Sequence, residues 1–189
     1  MRALVWGLVL LLTACFPVAM LRPPEPARGL EVSVGGSLFN NPFSNQYPIM
    51  PLPYLAVAFG DGELEYNFSV QWGLRGGVKL GLGPGLALDA GLTLRPIDDV
   101  SQWVPVDLDA GVILGGDGFY FSPRVHLIRV LTFFDWGGFT SSAWKTAWQA
   151  SLGTYHRDWV AEVGALGGFG GNGSLLIRLS AAWRFGIAP

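Results

Sequence analysis

Leu86-Ala-Leu-Asp-Ala-Gly-Leu-Thr-Leu-Arg95 is the stretch whose reading decides the fold. Its even positions, Leu86, Leu88, Ala90, Leu92 and Leu94, are apolar, and its odd positions, Ala87, Asp89, Gly91, Thr93 and Arg95, are small or polar. Successive side chains of a β-strand point to opposite faces, so this strand has one greasy face and one small, polar face. Upstream the same pattern sets Leu64, Tyr66, Phe68, Val70 and Trp72 against Glu63, Glu65, Asn67, Ser69 and Gln71. Strict alternation over about ten residues marks a strand, and a tilted strand of about that length crosses a bilayer.

Working outward, the totals agree with that reading. The 189 residues suit one domain, half of them hydrophobic and only 14% charged, where an ordinary soluble domain carries about 25%. Mean hydropathy is +0.38. Yet beyond the first dozen residues no apolar run approaches the roughly 18 needed for a spanning helix. Apolar residues dispersed at period two are the pattern of a membrane β-barrel. The net charge of -2 carries no nucleic-acid footprint. Lys79 and Lys145 are the only lysines, which excludes a polybasic membrane patch.

The front of the chain reads separately. Met1-Arg2 and the apolar run Ala3 to Leu12 have the shape of a secretory signal. The run ends Leu12-Thr13-Ala14-Cys15, which resembles the bacterial lipoprotein signal: an aliphatic residue, two small ones, then the cysteine that receives the lipid. The resemblance implies cleavage after residue 14 and acylation (palmitate) of Cys15, which becomes the mature N-terminus. Cys15 is the only cysteine, so no disulfide can form within the chain. Residues 15–28 hold Pro17, Pro23, Pro24 and Pro26 and read as a stiff tether between lipid and domain.

Residues 29–189 form the third part. Strands are predicted at 29–39, 52–59, 63–72, 77–82, 86–95, 103–114, 119–130, 143–154, 158–168 and 174–185. Tight connectors at 60–62, 83–85, 115–118 and 155–157 are rich in the Gly and Asp of hairpin turns. Mostly longer connectors lie between, at 40–51, 73–76, 96–102, 131–142 and 169–173. Short periplasmic turns opposite longer loops are the layout of an outer-membrane barrel. The expected fold is all-β: an antiparallel up-and-down β-barrel of about 10 strands, with its apolar face toward lipid. Eight strands remain open, since the parity of Leu64 to Trp72 continues through Leu74, Val78, Leu80 and Leu82. An even count puts both termini on the periplasmic side, where the lipid of Cys15 is then expected.

Alternation alone does not say which face is outside, since a lipocalin-like barrel turns its apolar side chains inward. Three features favour outward. The polar face is small, with Gly35, Ser37, Gly77, Gly81, Gly91, Gly111, Ser151, Gly153 and Gly164. Trp72, Trp103, Trp144, Trp159 and Trp183, with Phe119 and Phe185, fall near predicted strand ends, the levels of an aromatic girdle. The polar face also carries charges of both signs that can pair across a narrow lumen. That cluster comprises Glu63, Glu65, Lys79, Asp89, Asp107, Asp109, Arg124, His126, Lys145, Glu162, Arg178 and Arg184, with Glu31 beside them. The segment Leu175 to Phe185 resembles the closing strand of outer-membrane proteins, an alternating aromatic-rich strand ending in Phe. That likeness implies handling by a barrel-assembly machinery.

Signals for chemistry are sparse. Two histidines and one cysteine offer no metal-ligand spacing, and no cofactor or metal is expected. Ser122, Arg124 and His126 share a face, and Asp107 or Asp109 could approach His126, so a barrel hydrolase is a minor alternative. A hydrogen-bonding lumen histidine is the plainer account. Glu63/Glu65 and Asp107/Asp109 each share a face at i, i+2, where charge compensation outweighs acid–base work. Phe133-Phe134-Asp135-Trp136-Gly-Gly-Phe139 sets four aromatics in one loop, readable as a lid or as a contact patch.

The expectation is an outer-membrane lipoprotein anchored at the periplasmic side, with a small barrel in a structural or interaction role and at most a narrow passage. It is not expected to be an enzyme. Its partners are membrane lipid and the assembly machinery, with no nucleic acid; no other protein partner is indicated. The alternative is a lipid-tethered periplasmic barrel that binds an apolar ligand inside.

Overall fold

A computed structural model describes residues 19–40, 49–71, 73–94, 103–133, 139–141, 144–168 and 175–187. Residues 1–18, with the signal and Cys15, lie outside these, as does most of the aromatic loop 133–139. The strands are β1 (Arg28–Asn40), β2 (Ile49–Asp61), β3 (Leu64–Val70), β4 (Leu74–Gly83), β5 (Leu86–Leu94), β6 (Trp103–Gly116), β7 (Phe119–Phe133), β8 (Phe139–Ser141), β9 (Lys145–His156), β10 (Trp159–Gly167) and β11 (Leu175–Ile187). Among the described residues no helix is long and apolar enough to cross a membrane.

Every strand pairs antiparallel with its neighbours, and the sheet closes on itself. β1 pairs with β11 (Val34 opposite Trp183) and β6 with β7 (Asp109 opposite His126), so ten strands form an up-and-down ring. The short β8 extends the β7 edge, setting Phe139 opposite Phe133. Because β3 and β4 are separate strands of one hairpin, the eight-strand alternative falls. Closure pairs each of the ten wall strands on both sides, as a spanning structure requires where water cannot satisfy backbone groups.

The faces follow the alternation read from the sequence. On β5, Leu88 is 43% exposed, while its neighbour Asp89 is 3% exposed. The same division holds on β3, where Tyr66 and Phe68 face out and Glu65, Asn67 and Ser69 are buried. Exposed Phe119, Trp183 and Phe185 cluster where turns and termini meet, and Trp144 and Trp148 are exposed toward the loop end. Phe59 and Tyr66 stack on the outer wall at 5.2 Å between ring centroids. An apolar outer band with aromatics toward both rims is the surface a bilayer requires.

The turns explain their residues. At the β6–β7 hairpin Asp117 (φ 53°) and Gly118 (φ 84°) both take positive φ, as a two-residue primed turn needs. The connector expected at 73–76 is shorter, because β4 already begins at Leu74. Gly76 and Gly77 are strand residues there, paired with Phe68 and Asn67. A side chain on Gly77 would meet the Arg75 guanidinium at 2.4 Å, and one on Gly91 would meet it at 2.5 Å. These glycines make room for a guanidinium inside the ring, which is why a glycine pair resembled a loop.

The proline-rich stretch read as a tether lies, from Ala19 to Ala27, within the ring. Ala19, Met20, Leu21, Arg22 and Ala27 are all buried. Leu21 packs in a cluster with Tyr54, Ala56, Ala87, Ile113, Tyr120 and Val160. Proline suits the place, because a segment surrounded by side chains has few backbone acceptors to offer its own N–H groups, and proline brings none.

Candidate functional site

Among the described residues, buried ionisable side chains gather in the lumen, in three groups. At the turn end, Glu65 accepts from Arg22 Nη1 at 2.7 Å and from the Ala27 N–H at 2.8 Å, and pairs with Lys79 Nζ at 2.8 Å. Lys79 Nζ also donates to the carbonyls of Pro23 at 3.1 Å and Glu25 at 3.0 Å. One carboxylate and one ammonium thus hold the inner segment by its backbone as well as by its arginine.

The middle group is a square of two arginines and two aspartates. Arg75 donates Nε and Nη2 to the two oxygens of Asp109 at 2.9 and 2.8 Å, and Nη2 also to Asp89 at 2.8 Å. Arg124 bridges the same two carboxylates from β7. Asn67 ties this group to the first, accepting from Arg75 at 2.7 Å and donating to Glu65 at 3.2 Å. A fork-shaped guanidinium matches a carboxylate in two bonds at once, a geometry lysine lacks.

The third group runs along β7, β9, β10 and β11. His126 Nδ1 lies 3.0 Å from Asp107, and its Nε2 lies 3.1 Å from the Gln149 side chain. With the Gln149 amide nitrogen turned to His126, its oxygen accepts from Arg178 at 2.9 and 3.1 Å. Arg178 pairs with Glu162 and donates to Ser151 at 2.7 Å. Tyr120 closes the group by donating to Glu162 at 2.9 Å.

These contacts locate each residue expected from the sequence. Glu65, Lys79, Asp89, Asp107, Asp109, Arg124, His126, Glu162 and Arg178 are buried in the lumen. Glu63 is exposed in the β2–β3 turn and Lys145 is exposed at the start of β9, so neither joins the cluster. Arg184 sits half-buried near the turn-end rim, where it pairs with Glu31 at 2.5 Å. Two central members were not anticipated. Arg75 falls in the connector expected at 73–76, although its parity with Gly77, Lys79 and Gly81 marks the inner face. Arg22 lay in the presumed tether, and its only signal was a lone charge between Leu21 and Pro23.

The charges balance. Among the described residues the buried cations are Arg22, Arg75, Lys79, Arg124 and Arg178, and the buried carboxylates are Glu65, Asp89, Asp107, Asp109 and Glu162. His126 apart, the two sets are equal in number, and Arg22, brought in by the inner segment, completes the match. Isolated buried charges are costly, so matched and hydrogen-bonded sets are the tolerable arrangement. Every buried carboxylate of the cluster is engaged by a cation or by His126, although Arg22 Nη2, Thr93 Oγ1, Arg124 Nε and Arg178 Nε find no hydrogen-bond partner. Both His126 nitrogens are occupied, by Asp107 and Gln149, and among the described residues Ser122 Oγ has no hydrogen-bond partner. No His/Cys/Asp/Glu group suited to a metal occurs among the described residues.

No protein-family model and no curated protein matches the chain. Among solved structures it is similar to the N-terminal β-barrel domain of Pseudomonas aeruginosa OprF, at 15% identity and TM-score 0.40, over 85% of this chain and 99% of that one. It is similar to Ail, the attachment invasion locus protein of Yersinia pestis, at 12% identity and TM-score 0.35, over 84% of this chain and 100% of that one. Neisserial surface protein A follows at 11% identity and TM-score 0.32, over 84% and 96%.

Proposed function

We propose that this chain is an outer-membrane lipoprotein whose barrel spans the membrane in a structural or interaction role, its lumen stoppered by its own N-terminal segment. The observation that carries this is the division of chemistry between the two faces of one wall. Outside are Leu88, Leu92, Val125, Leu179 and Trp183; inside are neutralised ion groups surrounding Ala19–Ala27. Lipid is the solvent that accepts such an outer wall without a large aggregation hazard. With Ala19–Ala27 seated among the ion groups, this reading leaves room for at most a narrow passage.

The alternative, a periplasmic barrel holding an apolar ligand, is disfavoured by the same observation. Its interior would have to be greasy, and here it carries five carboxylates and five cationic side chains. Catalysis is disfavoured because His126 is fully buried with both ring nitrogens engaged.

The test is fractionation of a Cys15→Ala variant exported through an ordinary signal, followed by an alkaline carbonate wash of the membranes. Retention in the washed outer membrane supports a wall that itself meets lipid. Recovery in the soluble periplasmic fraction overturns the proposal in favour of the tethered soluble barrel.

A further inference from the structure

The inner segment has a direction, and its direction has a consequence for the lipid. Ala27 stands at the turn end: its N–H meets Glu65, and its carbonyl accepts from the Gly62 N–H at 3.0 Å. Going backward along the chain, Glu25 and Pro23 are held by Lys79, Arg22 by Glu65, and the Met20 carbonyl by the Tyr54 hydroxyl at 3.0 Å. Ala19 comes last, its N–H donating to Gln71 Oε1 at 2.8 Å. Gln71 follows the last residue of β3, at the loop end, and it is itself fixed by donating to Ser37 at 2.6 Å. The segment therefore climbs the lumen from the turns toward the loops, and the group leading back to residue 18 faces the loop end.

Chain length then decides where the upstream residues can be. From Gln71 back to the turn at Gly62 is nine residues of wall, roughly 30 Å along the strand and roughly 22 Å along the axis at a tilt near 40°. Three residues lie between Cys15 and Ala19, and the four Cα-to-Cα steps span at most about 14 Å when fully extended. Cys15 cannot return to the turn-end membrane surface while Ala19 is seated, and the way back down the lumen is already filled by the segment. The loop-end rim is close: β1 runs only three residues past Ser37, about 10 Å of strand.

We infer that Ala19–Ala27 is threaded through the barrel with Ala19 toward the loop-end mouth, so that a lipid carried on Cys15 has within reach the leaflet on that side and not the one at the turns and the C-terminal strand end. This rests on the reading of Cys15 as a lipidated residue. With loops outward, it makes the N-terminus a surface feature rather than a periplasmic one, replacing the side expected from an even strand count.

The experiment uses the full chain in its outer membrane, carrying Ala19→Cys with Gln71→Cys. An acylated Cys15 holds its sulfur as a thioether, so the only free thiols are the introduced pair. Cells are fed an alkyne-tagged palmitate, membranes are treated with a short thiol-to-thiol crosslinker, and only the band with folded, heat-modifiable mobility is scored. Ala19→Cys with Gly62→Cys, at the turn end, serves as the contrasting pair. The expected result is a palmitate-labelled folded band that is mostly crosslinked with the Gln71 pair and unchanged with the Gly62 pair. A labelled folded band that fails to crosslink at Gln71, or crosslinks at Gly62, overturns the threading while leaving lipidation intact. A crosslinked band with no palmitate label keeps the threading and removes the lipid from it, which overturns the lipidation reading.

Discussion

Arg22 and Glu65 stand 43 residues apart in sequence and 2.7 Å apart inside the barrel. Glu65 also faces Lys79, so a single carboxylate serves a cation from the wall and one from the inner segment. Removing Glu65 strands two buried cations, whereas removing Arg22 leaves Lys79 and Glu65 still paired. Glu65→Ala is therefore expected to lower unfolding stability by about 3–5 kcal/mol, the usual cost of breaking a buried pair from one side. Arg22→Ala should lose distinctly less. Urea unfolding of the barrel in lipid vesicles, followed by tryptophan fluorescence, measures both; equal losses would contradict this account of Glu65.

The inner segment also accounts for closure of the lumen. Without residues 19–26, Lys79 loses two carbonyl partners, Tyr54 loses one, and the wall keeps Arg75, Lys79, Arg124 and Arg178 against Glu65, Asp89, Asp107, Asp109 and Glu162. The wall then carries one surplus negative charge. Deletion of residues 19–26 is expected to turn a non-conducting barrel into a conducting one with a preference for cations. Planar-bilayer recordings of the intact and deleted proteins test this, and an anion-selective channel would contradict the charge assignment.

Leu88 and Asp89 are adjacent in sequence and opposite in environment. Leu108→Arg, at the middle of β6 on the exposed face, places a charge on the lipid side, where an arginine near the bilayer midplane costs about 2–4 kcal/mol. Leu82→Arg, at the turn-end limit of β4, should cost about 0–1 kcal/mol. The contrast should appear as a difference in urea midpoint in vesicles and shrink in detergent micelles. Equal effects at both positions would argue against a depth-dependent lipid contact.

The seam between β1 and β11 offers a steric test. A side chain at Gly35 would stand 2.0 Å from the Ala181 carbonyl oxygen and 2.5 Å from the Ala182 Cα. Both are backbone atoms and cannot swing aside. At the neighbouring Gly36 the nearest atom is the Leu52 carbonyl oxygen at 3.2 Å. Gly35→Ala should destabilise by about 1–3 kcal/mol, as overpacking does, and Gly36→Ala by less. The temperature at which the folded band converts to the unfolded band on a gel gives the comparison.

Much of the wall was legible from period-two alternation, because a strand between lipid and lumen must separate its two faces residue by residue. That is why Leu88 and Asp89, or Phe68 and Ser69, could be placed without coordinates. Arg75 was lost because glycines that make room for a guanidinium look the same in sequence as glycines that make a turn. Arg22 and the inner segment were lost for a different reason. Nothing periodic marks a chain that enters a lumen, and prolines that stiffen a tether equally suit a segment shut away from water. The location of Glu63 failed by a single residue, since a strand end and a turn differ only in where pairing stops.

Closing a ring around a strand of its own chain has a mechanical side. The segment lies before β1, so it is synthesised before any wall exists, and β11, which must join β1, comes last. The ring therefore shuts like a clasp over a cord already in place. Tension on the N-terminus then loads the ties at Gln71, Tyr54, Lys79 and Glu65 together, as a shear that must break them at once. Tension drawing the C-terminus away from the wall instead unzips β11 from β1 one pair at a time. The two ends of one small protein thus offer unequal handles, and the stronger grip belongs to the end with no strand.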